Sequence, residues 1–339
     1  MHPICILGAG SWGTAQAISL ASVGQDVILW GREEDGIAQI KAAGENKRFL
    51  PGVALPDTIQ ITHDMAEAVE EAHIIILAVP AQTVRQVLVR VAPFLPADAL
   101  IINTAKGLEL ESGMRISQVV TDVLGQDILE RYAVLSGPSH AEEVSRKVPT
   151  AVTAASVNLQ TAHRVQDLYM APWFRVYTNP DVAGVELGGS LKNIIAIAAG
   201  MIYGLGYGDN AQAALITRGL TEITRLGLAM GGNYRTFSGL SGMGDLIVTC
   251  GSRHSRNRRA GEMIGQGMTL EETLEKVGMV VEGAYTAKIA YKLAESFQVD
   301  MPISKACYRI LHEKHDPRDE VFRLMMRGKK HEIEDMVQP

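Results

Sequence analysis

The feature that most constrains the fold is a glycine-rich turn near the start of the chain, Gly8-Ala9-Gly10-Ser11-Trp12-Gly13. It follows the apolar run Ile4-Cys5-Ile6-Leu7 and precedes a helix-forming stretch from Thr14 to Ala21. In such a strand-turn-helix unit one glycine allows the tight turn, one lets the backbone approach a pyrophosphate, and one lets the helix pack closely on the strand. The pattern predicts a dinucleotide site with Gly8, Gly10 and Gly13 at the cofactor.

The next strand bears on which dinucleotide is bound. An apolar run from Asp26 to Trp30 ends about 20 residues beyond the fingerprint, where the residue that meets the adenosine ribose is expected, and Gly31-Arg32-Glu33 follows it. Arg32 can bind the 2′-phosphate of NADP(H), whereas an acid such as Glu33 suits the free 2′-hydroxyl of NAD(H). The sequence favours NADP(H) and leaves NAD(H) open, and Arg32 as a plain solvated turn residue remains the alternative.

Length and charge limit the class of protein. The chain has 339 residues, 47% of them hydrophobic and 21% charged, which predicts a globular protein of two domains. A net charge of −6 argues against nucleic acid or an anionic membrane as a partner. The start of the chain shows no leader pattern, so we expect a cytoplasmic protein. The apolar stretch 194–208 is shorter than a membrane span and is expected to be a buried helix, without membrane insertion.

The order of elements predicts the fold class. Residues 1–180 alternate short aliphatic runs with helical stretches, which is typical of parallel strands joined by right-handed crossovers. Residues 181–339 show helical spacing, with short strand pieces considered only near Phe237 and Ile247. We therefore expect an α/β protein: a Rossmann-like, doubly wound, mostly parallel sheet that binds a dinucleotide, then a mainly α-helical substrate-binding domain.

Two lysines are candidates for the chemistry. Lys106 follows a predicted strand, at the edge where such sheets collect ligands, although an exposed turn lysine is an alternative. Lys192 and Asn193 interrupt a very apolar helix. If Lys192 faces a cleft, burial lowers its pKa toward neutral pH and makes it a general acid or base. The alternative is a structural ion pair with Glu186 or Asp245.

A local anion site is predicted in an otherwise acidic protein. Arg253, Arg256, Arg258 and Arg259 lie within seven residues, around a candidate helix N-cap at Ser255, which suits a phosphorylated substrate. Arg259 is the one expected to be plain surface. The turn 136–141 resembles a second helix start that can bind an anion, with Ser139 as a simple N-cap the alternative. Asp245, among glycines, can orient Lys192 or bind a substrate hydroxyl.

With these motifs in view, the chain resembles the bacterial-type NAD(P)-dependent glycerol-3-phosphate dehydrogenases. The resemblance runs from residue 4 to about residue 313 and is carried by five segments: Gly8–Ala15, Ser136–Ser139, Glu186–Asn193, Gly242–Leu246 and Ser255–Arg258. It implies an enzyme that reduces dihydroxyacetone phosphate to sn-glycerol 3-phosphate, reversibly, and supplies glycerophospholipid synthesis. No metal is expected in the site.

The same resemblance assigns roles to individual positions. It implies that Lys192 exchanges the proton with the substrate oxygen, with Lys106 and Asp245 as its catalytic partners. The implied substrate contacts are Lys106, Gly137, Ser139, Lys192, Asn193, Asp245, Thr249, Ser255, Arg256 and Asn257. The implied cofactor contacts, besides the three glycines, are Ser11, Trp12, Arg32, Lys106, Ala141, Arg256, Val280 and Glu282. The chain departs from the family pattern at Gln16, Ser241 and Met243, which bears on cofactor packing more than on the reaction.

Two other functions remain open at this point. One is a related two-domain dehydrogenase acting on a hydroxyacid or a ketopantoate-type substrate, which would need fewer arginines than a phosphate does. The other is a protein that senses NADPH without turnover, which would not need a buried lysine facing an acid. The abundant apolar helices of the second domain suggest a homodimer.

Overall fold

The computed structural model describes residues 2–329 and 331–332, so Lys330 and residues 333–339 of the expected second domain lie outside the described residues. One eight-stranded sheet occupies the first half of the described chain. Its strands are β1 (Ile4–Leu7), β2 (Val27–Trp30), β3 (Ile59–Thr62), β4 (Ile74–Leu77), β5 (Leu100–Asn103), β6 (Tyr132–Ser136), β7 (Thr150–Ala155) and β8 (Phe174–Asn179). The helices between them are α1 (Ser11–Ala21), α2 (Ile37–Ala43), α3 (Met65–Val69), α4 (Val84–Val91), α5 (Ile116–Leu124), α6 (Ala141–Val144) and α7 (Leu159–Tyr169).

The strand order is β3-β2-β1-β4-β5-β6-β7-β8. All neighbours pair in parallel except β6 and β7, which are antiparallel. Helices cover both faces of the sheet, so β1, β2 and β5 are buried along their whole length, as their continuous apolar runs predict. The predicted doubly wound, mostly parallel sheet is confirmed. The strand order reverses between β1 and β4, because β2 and β3 extend the sheet on one side of β1 while β4 to β8 extend it on the other. Such a switch point is where these sheets bind nucleotides.

The rest of the described chain is helical. The helices are α8 (Val182–Gly204), α9 (Asp209–Ala229), α10 (Tyr234–Phe237), α11 (Asp245–Gly251), α12 (Arg256–Gly265), α13 (Leu270–Val277), α14 (Glu282–Ser296), α15 (Pro302–Glu313) and α16 (Pro317–Met325). A π-helical turn, Leu240–Gly244, precedes α11.

The prediction of short strands near Phe237 and Ile247 is wrong, because both residues lie in helices. Phe237 ends α10, which is capped by Asn233. Ile247 lies on the outer face of α11, which buries Leu246 and Cys250 instead. This spacing of four residues is that of a helix.

Helix α8 is the central helix of the second half of the described chain. It packs against α9, α11, α12 and α14, and it is long and apolar enough to cross a membrane by length and composition alone. Its most apolar 18-residue window is, however, completely buried inside the protein. The expected buried helix is confirmed as far as Gly204, where α8 ends, while residues 205–208 form a partly exposed turn. The helix carries Lys192 and Asn193 into the interior.

Candidate active site

A cleft of about 460 Å³ lies between the carboxyl end of the sheet and the helices of the second half. Fourteen of the predicted site residues line this cleft: Ser11, Trp12, Lys106, Ser139, Ala141, Lys192, Asn193, Asp245, Thr249, Ser255, Arg256, Asn257, Val280 and Glu282. Residues about 270 positions apart in the chain thus face one space, because the loops after β1, β4, β5 and β6 meet α8, α11, α12 and the start of α14 there.

The fingerprint glycines form the floor of the nucleotide side without lining the cleft themselves. Gly8 has φ +125°, and a Cβ there would lie 2.7 Å from the carbonyl oxygen of Ala78. A Cβ at Gly13 would lie 1.9 Å from the oxygen of Gly8. By contrast, a Cβ at Gly10 would meet nothing within 4 Å. The two crowded glycines therefore fix the turn, while Gly10 leaves open space in front of α1.

The residues beside that space fit a dinucleotide. Helix α1 begins at Ser11 with no side-chain cap, so its first N–H groups are available to a pyrophosphate. The indole Nε1 of Trp12 is buried without a hydrogen-bond partner in the described structure. An oxygen-rich ligand in the cleft would supply the acceptors that these donors lack.

The centre of the site is a carboxylate held by two ammonium groups. Lys192 Nζ donates to Asp245 Oδ1 at 2.6 Å and to Thr249 Oγ1 at 2.7 Å. Lys106 Nζ donates to Asp245 Oδ2 at 2.8 Å and to the carbonyl oxygen of Gly137 at 2.9 Å. The alternative pairing of Lys192 with Glu186 is absent, since Glu186 accepts from Arg115, Ser117 and Tyr132.

Burial decides the protonation of this group. Burial lowers the pKa of Lys192 to about 8, although Asp245 opposes the shift. Burial also disfavours the charged form of Asp245, but Lys106 and Lys192 outweigh it and hold the pKa of that carboxyl below its usual value. The site therefore keeps an ionised acid beside an amine that can gain or lose a proton near neutral pH.

A row of amides joins the lysine helix to the arginine helix. Asn193 Nδ2 donates to the carbonyl oxygen of Lys106 at 3.2 Å, and Asn257 Nδ2 donates to Asn193 Oδ1 at 3.0 Å. The backbone N–H of Gly283 then donates to Asn257 Oδ1 at 2.9 Å. Each amide NH₂ group keeps a second N–H, which remains available to a ligand.

The arginine cluster divides between the cleft and the core. Arg253, Arg256 and Arg259 line the cleft, and their guanidinium groups have no hydrogen bond or ion pair within the residues described. Arg258 instead lies over the ring of Tyr203, 4.5 Å from its centroid, and contacts Glu262 at 3.4 Å. The expectation for Arg259 is therefore wrong: the helix that Ser255 caps turns Arg258 away and leaves Arg259 facing the cleft.

Other predicted residues have local roles. Gly137 does not line the cleft, and its carbonyl oxygen accepts from Lys106 and from Ser139 Oγ. Ser139 is not an N-cap, because the short helix α6 is preceded by His140. Glu282 Oε1 accepts the N–H of Ala81 at 3.0 Å, while Oε2 is buried without a partner in the described structure. Arg32 lies outside the cleft lining and is paired with Asp35 at 2.9 Å.

Several lining residues were not singled out as site residues. His140, Glu142 and His254 surround the mouth, and the rings of His140 and His254 lie 5.8 Å apart. Arg48, Phe49 and Pro51 close the nucleotide side. His140, Glu142 and His254 are sequence neighbours of predicted site residues, whereas the segment 48–51 reaches the cleft through contacts distant in sequence that its own spacing does not reveal. The departure at Gln16 is structural: its side chain bridges Thr104 and Tyr169 inside the core.

Among the residues described, no group of three or more His, Cys, Asp or Glu side chains is arranged to hold a metal ion.

Comparisons with known proteins identify the family. Sequence models described as the N-terminus and the C-terminus of NAD-dependent glycerol-3-phosphate dehydrogenase match residues 3–162 and 181–322.

Individual relatives agree with this match. The chain is 62% identical over 337 residues to "Glycerol-3-phosphate dehydrogenase [NAD(P)+]" of Syntrophomonas wolfei, covering 99% of this chain and 98% of the relative. The crystal structure of glycerol-3-phosphate dehydrogenase from Coxiella burnetii has a TM-score of 0.92 at 43% identity, covering 96% of this chain and 99% of that one. A ketopantoate reductase from Ralstonia eutropha shares the fold at a TM-score of 0.60 and 15% identity, over 94% of this chain and 99% of the other.

Proposed function

The chain belongs to the NAD-dependent glycerol-3-phosphate dehydrogenase family, and from that premise we propose that it reduces dihydroxyacetone phosphate to sn-glycerol 3-phosphate. The cofactor, NADPH or NADH, supplies the hydride when bound. The observation that carries this assignment is a buried lysine, paired to a buried acid, beside three cleft-lining guanidinium groups that have no partner among the described residues. The reaction is reversible and its product feeds glycerophospholipid synthesis.

Each catalytic residue has a defined task. Lys192, as the ammonium ion, hydrogen-bonds the substrate oxygen and gives it a proton as negative charge develops there. Asp245 holds that ammonium at 2.6 Å and fixes its direction. Lys106, bound to the other carboxylate oxygen, adds a second positive charge that stabilises the oxyanion. Thr249, one turn after Asp245 on α11, accepts a second hydrogen bond from the same ammonium at 2.7 Å.

The substrate phosphate binds at the start of α12. Arg256 and Asn257 lie in the first turn of that helix, and Ser255 caps it, so guanidinium, amide and hydroxyl donors face one anion. Gly137, Ser139, Asn193 and Thr249 complete the substrate site. Binding energy at the phosphate, remote from the reacting carbon, places the carbonyl against Lys192.

The cofactor lies along the glycine turn. This side of the cleft is lined by Ser11, Trp12, Ala141, Val280 and Glu282. Gly8, Gly10 and Gly13 shape the turn that the pyrophosphate approaches, Arg32 lies at the adenosine end, and Lys106 and Arg256 lie at the boundary with the substrate. A boundary at residue 180 between the dinucleotide-binding domain and the substrate-binding domain fits this arrangement, since β8 ends at Asn179 and α8 begins at Val182. We further propose a cytoplasmic homodimer without membrane insertion.

A spectrophotometric assay tests the proposal. Purified protein is mixed with NADPH and dihydroxyacetone phosphate, and the nicotinamide absorbance is followed; unphosphorylated dihydroxyacetone and ketopantoate serve as comparison substrates. We expect oxidation of NADPH with the phosphorylated ketone at a kcat/KM at least about a hundredfold above either comparison substrate. Dihydroxyacetone lacks the anion that the guanidinium groups bind, and ketopantoate offers them a monoanionic carboxylate in place of a phosphate dianion. Stable absorbance would favour a sensor, and preference for ketopantoate would favour the ketoacid dehydrogenase.

A further inference from the structure

We propose that Arg48 is a cofactor-selectivity residue that binds the 2′-phosphate of NADP(H) beside Arg32. This inference rests on the proposed function, because it concerns the adenosine end of the same cofactor site. Arg48 lies in the segment between α2 and β3, whereas the sequence motif places the residue that meets the 2′-position of the adenosine ribose at the end of β2.

The segment that carries Arg48 is fixed to the glycine turn. Asn46 is fully buried, and its Nδ2 donates to the carbonyl oxygen of Ala9 at 2.9 Å and to Thr14 Oγ1 at 2.8 Å. Ser11 Oγ donates to the carbonyl oxygen of Phe49 at 2.6 Å. Residues 46–49 are therefore held against the start of α1 from both sides of Arg48.

The Arg48 side chain lies at the end of β2. Its Nη1 donates to the carbonyl oxygen of Glu34 at 3.1 Å, and its guanidinium carbon lies 4.8 Å from the centroid of the Phe49 ring. Arg48 lines the cleft, whereas Arg32 does not. The turn that Arg48 contacts is the one at which a dinucleotide fold places the adenosine ribose.

The charge of that turn makes a second cation necessary. Glu33, Glu34 and Asp35 follow Arg32 directly, and Arg32 is already paired with Asp35 at 2.9 Å and with Glu34 at 3.5 Å. A phosphate dianion meets net negative charge there unless another cation is present. Within the described structure the Arg48 guanidinium has no carboxylate partner, so its charge is available.

Equilibrium binding tests the inference without turnover. Dissociation constants of NADPH and NADH are measured by calorimetry for the wild-type protein, Arg48→Ala and Lys47→Ala, the last an exposed neighbouring cation as matched control. We expect Arg48→Ala to weaken NADPH about tenfold to a hundredfold, the range of a charge-assisted hydrogen bond, and NADH less than about twofold. Lys47→Ala should change neither. Retained NADH affinity also reports that the variant is folded.

Fragments without nicotinamide separate this inference from the proposed function. 2′,5′-ADP should lose its advantage over 5′-ADP in Arg48→Ala and retain it in part in Arg48→Lys, which keeps the charge but not the planar fork. An unchanged NADPH-to-NADH ratio of dissociation constants in Arg48→Ala overturns the inference, even if the wild type reduces dihydroxyacetone phosphate. A shifted ratio in a protein that does not turn over supports the inference and rejects the dehydrogenase.

Discussion

At the scale of single residues, the site depends on one carboxylate shared by two amines. Asp245 is 1% exposed and accepts from Lys192 on one oxygen and from Lys106 on the other. An unpaired charge at this depth would cost several kcal/mol, so the buried groups Asp245 and Lys192 each require a charged partner, and the half-buried Lys106 pairs with the second carboxylate oxygen. With both lysines protonated, the arrangement carries one net positive charge, which suits the oxyanion of the proposed reaction.

Replacing the proton donor tests its role directly. Lys192→Ala should lower turnover by roughly 10²- to 10⁴-fold, the usual contribution of a general acid, with NADPH affinity unchanged. Small primary amines added to the buffer should restore part of the activity, because they can enter the space left by the side chain. Lys288→Ala, at an exposed position of α14, is the control, and near-normal turnover in Lys192→Ala would remove Lys192 from its role.

The pH dependence follows from the same residue. Burial lowers the pKa of Lys192 to about 8, and ketone reduction needs the ammonium form. We therefore expect kcat/KM for reduction to fall as pH rises through about 8, and kcat/KM for glycerol 3-phosphate oxidation to rise through the same range. Asp245→Asn should move the inflection to lower pH, since the carboxylate raises this pKa. Profiles that stay flat from about pH 7 to 9.5 would contradict the assignment.

At the scale of elements, the crossing of α8 and α12 sets the position of the proposed phosphate site. An added Cβ at Gly261 of α12 would lie 1.9 Å from the carbonyl oxygen of Ile197, and one at Gly200 of α8 would lie 2.0 Å from that of Arg258. The two backbones approach this closely only because both helices have glycine at the contact. This contact places the first turn of α12 beside Asn193.

A single methyl group at that crossing should separate the helices. Gly261→Ala is expected to cost about 1–3 kcal/mol of unfolding free energy and to raise KM for the phosphorylated ketone more than it lowers kcat. Gly251→Ala, where a Cβ meets nothing within 4 Å, is the control. Urea unfolding and steady-state kinetics measure both effects, and equal stability of the two variants would contradict the close approach.

The elements also show what the sequence could predict. The alternation of aliphatic runs and helical stretches in residues 1–180, and the helical spacing after residue 181, predict the order of element types that the structure has. Local signals also mark the ends of some elements, as Thr269 does by capping α13. The sequence also predicts Lys192 and Asp245 as a functional pair, because each is a charged residue in an apolar or glycine-rich segment. The path of residues 46–51 across the cleft, the direction of Arg258 and the π-helical turn depend on distant packing, which local spacing does not contain.

At the scale of the whole molecule, the sheet and the helical half are joined by a buried charge. Glu186 of α8 accepts from Tyr132 of β6 at 2.6 Å, from the Ser117 backbone N–H at 2.8 Å and from Arg115 at 2.8 Å. All of these donors belong to the first half of the chain, while Glu186 lies two turns before Lys192. The cleft geometry therefore depends on this cluster.

Neutralising that carboxylate should weaken the whole molecule. Glu186→Gln is expected to cost about 3–5 kcal/mol of unfolding free energy, since it leaves Arg115 without its counter-ion in a largely buried place. Tyr132→Phe, which removes one hydrogen bond, should cost only about 1–2 kcal/mol. Denaturant unfolding measures both values, and a Glu186→Gln variant as stable as the wild type would show that the cluster does not hold the halves together.

The row of amides from Lys106 through Asn193 and Asn257 to Gly283 has a consequence for substrate length. It fixes the distance between the proposed proton donor, Lys192, and the proposed phosphate site at the start of α12, so a bound molecule cannot change that distance. A ketone phosphate with one extra methylene between the carbonyl and the ester oxygen would then bind with either its carbonyl or its phosphate out of position. The enzyme should therefore discriminate between substrates by chain length.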